Sequence, residues 1–334
     1  MSKNRNILLR LEDTLVLKGI ALLLLLSHHL FYKNNGVYDD ILLWKDHYLV
    51  QEIGIMSKVC VAIFVFLSGY GLAVSTEKKG GVLSPKNFYV SRFKKLFLNY
   101  WFIWLLFVPI SYYCFGMTFE KAYQQHVVLQ LATDIMGIHE FIFGSISYCY
   151  NPTWWFYSCI ILLYMLFPLL YKWTKSDTVL MILGAMAFFF LPIPHLGFIR
   201  YYLLTFVLGI MFAIQKLPPP TERKTCVLIV CTCFIAARNF SPSPLFVDSL
   251  ICVVMVQLYR VISISNPLKH ALAFLGKHSM NIFLFHTFIY YFWFREYIYF
   301  TRMPIIIYLI LLIVCIVISV MLEWVKKYTI YRFL

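Results

Sequence analysis

The chain has 334 residues, of which 61% are hydrophobic, 19% aromatic and only 13% charged. A soluble domain is nearer half apolar and a quarter charged, so this much apolar side chain needs lipid as solvent rather than one buried core. The net charge of +14 does not mark a nucleic-acid partner, because Lys and Arg fall in short runs between apolar segments and no basic helix or aromatic-basic sheet motif appears.

The segmentation predicts an all-α integral membrane protein, a bundle of about ten transmembrane helices forming one domain over residues 1–334 with no appended soluble domain. The expected spans are Leu15–Tyr32, Val59–Ser75, Leu96–Phe115, Trp154–Tyr171, Thr178–Ile193 and Arg200–Gln215. Cys226–Ala237, Leu245–Ile262, Ser279–Phe294 and Pro304–Val325 follow. The first apolar run continues into Ser27-His28-His29 without a small-residue cleavage site, so it reads as a retained span rather than a signal peptide.

Basic residues set the orientation. Lys3, Arg5 and Arg10, the run from Lys78 to Lys95, Lys172 and Lys175, and Lys326 and Lys327 all fall on one side. Most acids fall on the other, among them Asp39, Asp40, Glu120, Asp134 and Glu140. The positive-inside rule therefore puts both termini in the cytoplasm. The two longest connections, Lys33–Lys58 and Gly116–Thr153, lie outside as a possible cap. The nine cysteines are scattered through apolar stretches with no paired zinc spacing, and no metal site is expected.

Ionisable residues inside a span are costly and mark function by default. The first span carries Lys18, His28 and His29. Lys18 and His29 are separated by close to three helical turns, so they share a face and stand about 16 Å apart along the axis. One face then offers a cation for phosphate at one end and an imidazole base at the other, an arrangement suited to a long phosphorylated donor. The plainer reading is a snorkelling lysine and a packing histidine. His28 points elsewhere and reads as structural.

Ser68, Gly69 and Gly71 close the second span, where small residues allow close helix approach or leave room for a thin substrate arm. Arg92 and Lys95 share a face at the start of the third helix and offer a phosphate clamp, or simply positive-inside topology. His286, deep in the ninth span, either lines the same cavity as His29 or bonds to a neighbouring helix. His278 reads as solvated, and Trp154 and Trp155 as an interfacial belt.

In this order the elements resemble acyltransferase family 3 membrane proteins. The first helix matches in Lys18-Gly19-Ile20 through His29, the second in Ser68-Gly69-Tyr70, and the basic element in Arg92 and Lys95 leading to Tyr100-Trp101. A Trp-led helix follows at Trp155, and a G-x-x-S element ends in His286 with Gly276, Ser279 and Leu284. The resemblance implies a multi-pass O-acetyltransferase of a bacterial cytoplasmic membrane. It implies acetyl-CoA as acyl-donor co-substrate with no permanently bound cofactor, and a glycan acceptor beside membrane lipid as partners. It makes His29 the catalytic base, Lys18, Arg92 and Lys95 the donor-binding residues, and Ser68, Tyr70 and His286 substrate-binding residues. The chain departs from the family in having Lys95 at the second basic position and no acid in Trp155-Phe156-Tyr157-Ser158, so no carboxylate partner for His29 is named. A transporter or flippase of polysaccharide intermediates is the competing reading.

Overall fold

The computed structural model describes residues 9–331 other than 125, 144–148, 192–196, 216–232, 234–237, 239–240 and 242. The described chain is helical apart from one short antiparallel hairpin, β1 (Leu42–Trp44) with β2 (His47–Tyr48). In chain order the helices begin with α1 (Leu11–Phe31), α2 (Leu49–Met56), α3 (Cys60–Lys78) and α4 (Pro85–Phe115). Short helices α5 (Phe119–Tyr123), α6 (Val127–Ile135) and α7 (His139–Phe143) precede α8 (Trp155–Ser176), α9 (Thr178–Phe190) and α10 (Gly197–Gln215). The chain continues with α11 (Pro244–Tyr259), α12 (Asn266–Thr287), α13 (Arg295–Tyr299) and α14 (Pro304–Tyr328).

Among the described residues, six helices are long and apolar enough to cross a membrane, and α9 and α11 are shorter apolar helices. Three boundaries differ from expectation. The second span starts at Leu49, because α2 runs through a 3-10 turn (Ser57–Val59) into α3. The third starts at Pro85, which puts Arg92 and Lys95 inside a continuous helix. The ninth expected span is the second half of α12 plus a π-helical segment over Phe288–Trp293. The seventh, Cys226–Ala237, lies outside the described residues save for Cys233.

Lipid tails are as apolar as leucine, so helix pairing in a membrane rests on close packing rather than on the hydrophobic effect. The α1–α12 crossing shows how. A Cβ at Gly19 would lie 2.0 Å from the Leu272 carbonyl oxygen, and one at Gly276 would lie 1.9 Å from that of Leu15. Only glycine permits backbones this close. Gly69 and Gly209 make the same kind of contact between α3 and α10, against the carbonyls of Phe206 and Phe66.

The connection between α4 and α8 is folded around Asp134. The Tyr123 hydroxyl donates to its Oδ2 at 2.8 Å, and the Tyr100 hydroxyl to its backbone carbonyl at 2.6 Å. Burial pushes the Asp134 carboxyl up to about 6 against these stabilising bonds. Glu140, buried in α7, is pushed up to about 7 by burial alone.

Candidate active site

Two neighbouring cavities lie within the bundle. The first, about 230 Å³, is lined by Lys18 from α1, Ser68 from α3, and Arg92, Lys95 and Asn99 from α4. Among the described residues no carboxylate lines it. Three of the basic residues singled out in the sequence thus converge from two helices on one space. Arg92 donates to the Ser75 hydroxyl at 3.0 Å. The Tyr157 hydroxyl, from another lining residue, is buried without a hydrogen-bond partner.

Asn99 ties this basic cavity to a network absent from the sequence reading. Its Oδ1 accepts from the fully buried Lys326 ammonium at 2.8 Å, which also donates to Asn281 at 2.5 Å and stands 3.7 Å from Glu323. Asn281 donates to Glu323 at 2.7 Å. A buried ammonium needs such partners to offset its lost hydration. His278, expected to be solvated, is instead buried and bonded to the Ser319 hydroxyl at 2.9 Å. Its burial follows from α12 starting at Asn266, which carries the residue into the bundle.

The second cavity, about 290 Å³, is lined by His28 and His29, Lys58, Thr153, Thr287, Tyr290 and Tyr291 among others. Phe64, Phe156 and Phe283 line both cavities and form the wall between them. Phe156 and Phe283 meet edge to face at 5.1 Å, and Phe64 and Phe156 lie 6.4 Å apart. Lys18 and His29, on one helix, therefore face different compartments.

His286 sits behind His29, the ring centroids 4.9 Å apart. Its Nδ1 donates to the carbonyls of Ile282 at 2.9 Å and Phe283 at 3.0 Å, which are the helix's own turn. With Nδ1 as donor, the neutral ring keeps its lone pair on Nε2, and that atom is buried without a protein partner. The π-helical segment that follows brings both Tyr290 and Tyr291 to the cavity wall, and Tyr290 stacks on His286. Such segments are frequent at functional sites.

The remaining residues fall elsewhere. His28 donates from Nδ1 to the Gly54 carbonyl at 2.9 Å while still touching the cavity, consistent with a structural role. Tyr70 lines neither cavity; its hydroxyl exchanges bonds with the backbone of Leu9 at 2.8 and 3.1 Å. Trp154 is not interfacial but buried, donating to the Leu284 carbonyl at 2.9 Å. Trp155 lines the histidine cavity and stacks on Phe198. Lys58, counted in the sequence only as the end of a loop, lines that same cavity.

A family model described as an acyltransferase domain (Acyl_transf_3) matches residues 15–324. No curated protein and no solved structure matches the chain. The matched stretch opens in α1 ahead of Lys18 and closes in α14, so every residue named as lining the two cavities lies inside it, and the chain belongs to acyltransferase family 3 as a membrane acyltransferase.

Proposed function

We propose that the chain transfers an acetyl group from cytoplasmic acetyl-CoA to a hydroxyl of a cell-surface glycan or glycan precursor. The observation that carries this reading is the convergence of Lys18, Arg92 and Lys95 on a cavity that no carboxylate among the described residues lines, walled from a second cavity that holds His29. Three cations with no counter-ion among the described residues that line the cavity favour a ligand with several negative charges, as the phosphates of CoA provide, and Arg92 offers the forked geometry that phosphate accepts. The basic cavity faces the cytoplasm in this reading, with both termini on that side of a bacterial cytoplasmic membrane.

The phosphates sit in the basic cavity and the acyl-bearing arm passes the phenylalanine wall, bringing the thioester to His29. Neutral His29 accepts the proton of the acceptor hydroxyl as its oxygen attacks the thioester carbonyl. The carbon–oxygen bond forms, the carbon–sulfur bond breaks, and the proton on His29 passes to the departing thiolate of CoA. His286 packs behind His29, its ring centroid 4.9 Å away, and so limits the orientations open to the His29 ring. Ser68 borders the path of the arm.

The experiment is transfer of radiolabel from acetyl-CoA to glycan in membranes, comparing wild type with His29→Ala. Label that depends on His29 is the expected result. Full transfer by His29→Ala would remove the base assignment. Absence of label from both, together with loss of glycan export on deletion, would favour transport instead.

A further inference from the structure

We propose that the histidine cavity selects an anionic acceptor, a glycan carrying a carboxylate or phosphate group, and that Lys58 binds that group. This rests on the acetyltransferase reading above and adds the class of acceptor to it.

The charge balance of the cavity is the starting point. Lys58, presented by the 3-10 turn ahead of α3, lines the cavity and makes no hydrogen bond or ion pair among the described residues. Among the described residues no Asp or Glu lines the cavity with it. Asp248 lies within Coulombic range of Lys58, but both its oxygens are already taken by the buried Arg238, at 2.7 and 3.0 Å. Lys58 and Arg238 thus share one carboxylate among the described residues, which leaves net positive charge on the wall of a low-dielectric space. Such a charge is expensive inside a membrane protein unless a ligand of opposite sign completes it.

The rim repeats the pattern. The Lys33 ammonium lies 5.7 Å from the ring of Tyr32, and the Arg295 guanidinium 6.0 Å from that of Tyr291, and both tyrosines line the cavity. Both cations thus lie within cation–π range of rings that line the cavity. An anionic acceptor would meet positive charge first at the rim and then at Lys58, which favours its capture over a neutral one.

The test uses membranes carrying the full chain with radiolabelled acetyl-CoA, the His29-dependent labelled glycan being fractionated by anion exchange. Label in the retained fraction is expected, cut about tenfold or more by Lys58→Met and largely restored by Lys58→Arg. Retention that survives mild acid assigns the charge to a carboxylate, and retention lost with mild acid to the phosphate of a lipid-linked sugar. Label in the neutral fraction, unchanged labelling by Lys58→Met, or equal loss in the Met and Arg variants would overturn the proposal. Succinyl-CoA displacing acetyl-CoA as the preferred donor in a Lys58-dependent way would also overturn it, by moving the anion to the acyl group. Absence of His29-dependent label in every fraction would instead remove the acetyltransferase reading on which the proposal rests.

Discussion

His29 and His286, from opposite ends of the chain, stand with their rings 4.9 Å apart. The nearer partner of the candidate base is thus another imidazole, fixed by its own helix so that Nε2 is left as the acceptor. Replacing His286 by Ala is expected to lower kcat by about 10²-fold, within the range of a contribution to general-base catalysis. KM for acetyl-CoA should hardly move, because the proposed function seats the donor's phosphates in the other cavity. Steady-state kinetics with His286→Ala and His286→Asn checks this, and a rise in KM alone would contradict it.

The closeness of those two rings depends on glycine further along the same helices. Gly276→Ala places a methyl carbon 1.9 Å from the Leu15 carbonyl oxygen, so α1 and α12 must separate. A loss of about 1–3 kcal/mol is expected, as for overpacking elsewhere. Thermal unfolding in detergent measures it; Gly184→Ala, where nothing lies within 4 Å, serves as the neutral control.

The wall of Phe64, Phe156 and Phe283 stands between the basic cavity and the histidine cavity. Phe156→Ala joins the two cavities. Release of free CoA in the absence of acceptor should therefore rise, as water reaches the thioester, and acyl groups longer than acetyl should be better tolerated. A thiol-reactive dye follows the first effect and a series of acyl-CoA donors the second. Unchanged hydrolysis in a folded variant would show that the wall is not the barrier.

Burial raises the Glu140 carboxyl from 4.5 to about 7, so the folded chain favours its protonated form. The stability this lends is complete below the unfolded value and is lost as pH rises through about 7. Asp134, raised to about 6, contributes the earlier part of the same slope. Thermal stability of the wild type should fall between about pH 4 and pH 7, and Glu140→Gln should flatten the upper part, a difference on the order of 2 kcal/mol. Parallel slopes for the two proteins would contradict this.

Much of the basic cavity's lining was legible in the sequence, because Lys18 and His29 on one helix face, and Arg92 with Lys95 on another, follow from helical periodicity alone. Ser68 joined them through its place at the end of an apolar run. The polar half of α12 was not legible. Lys269 and His278 depress its hydropathy, yet Lys269 pairs with Asp13 at 3.4 Å and His278 with Ser319 at 2.9 Å, so tertiary partners offset what a window of hydropathy counts as cost. Lys326 looked like positive-inside charge for the same reason, and its partners Asn99 and Asn281 are remote in the chain. Lys58 was missed because the helix begins at Leu49, which turns a supposed loop residue into a cavity wall.

The central claim is a division of labour, with binding in the basic cavity and chemistry in the histidine cavity. The most direct test is equilibrium binding of radiolabelled acetyl-CoA to the purified full chain, set beside transfer, for His29→Ala and for Arg92→Ala with Lys95→Ala. The account predicts that His29→Ala binds acetyl-CoA like the wild type but transfers nothing, while the doubly substituted protein binds weakly. Loss of binding in His29→Ala, or undiminished binding without Arg92 and Lys95, would contradict it.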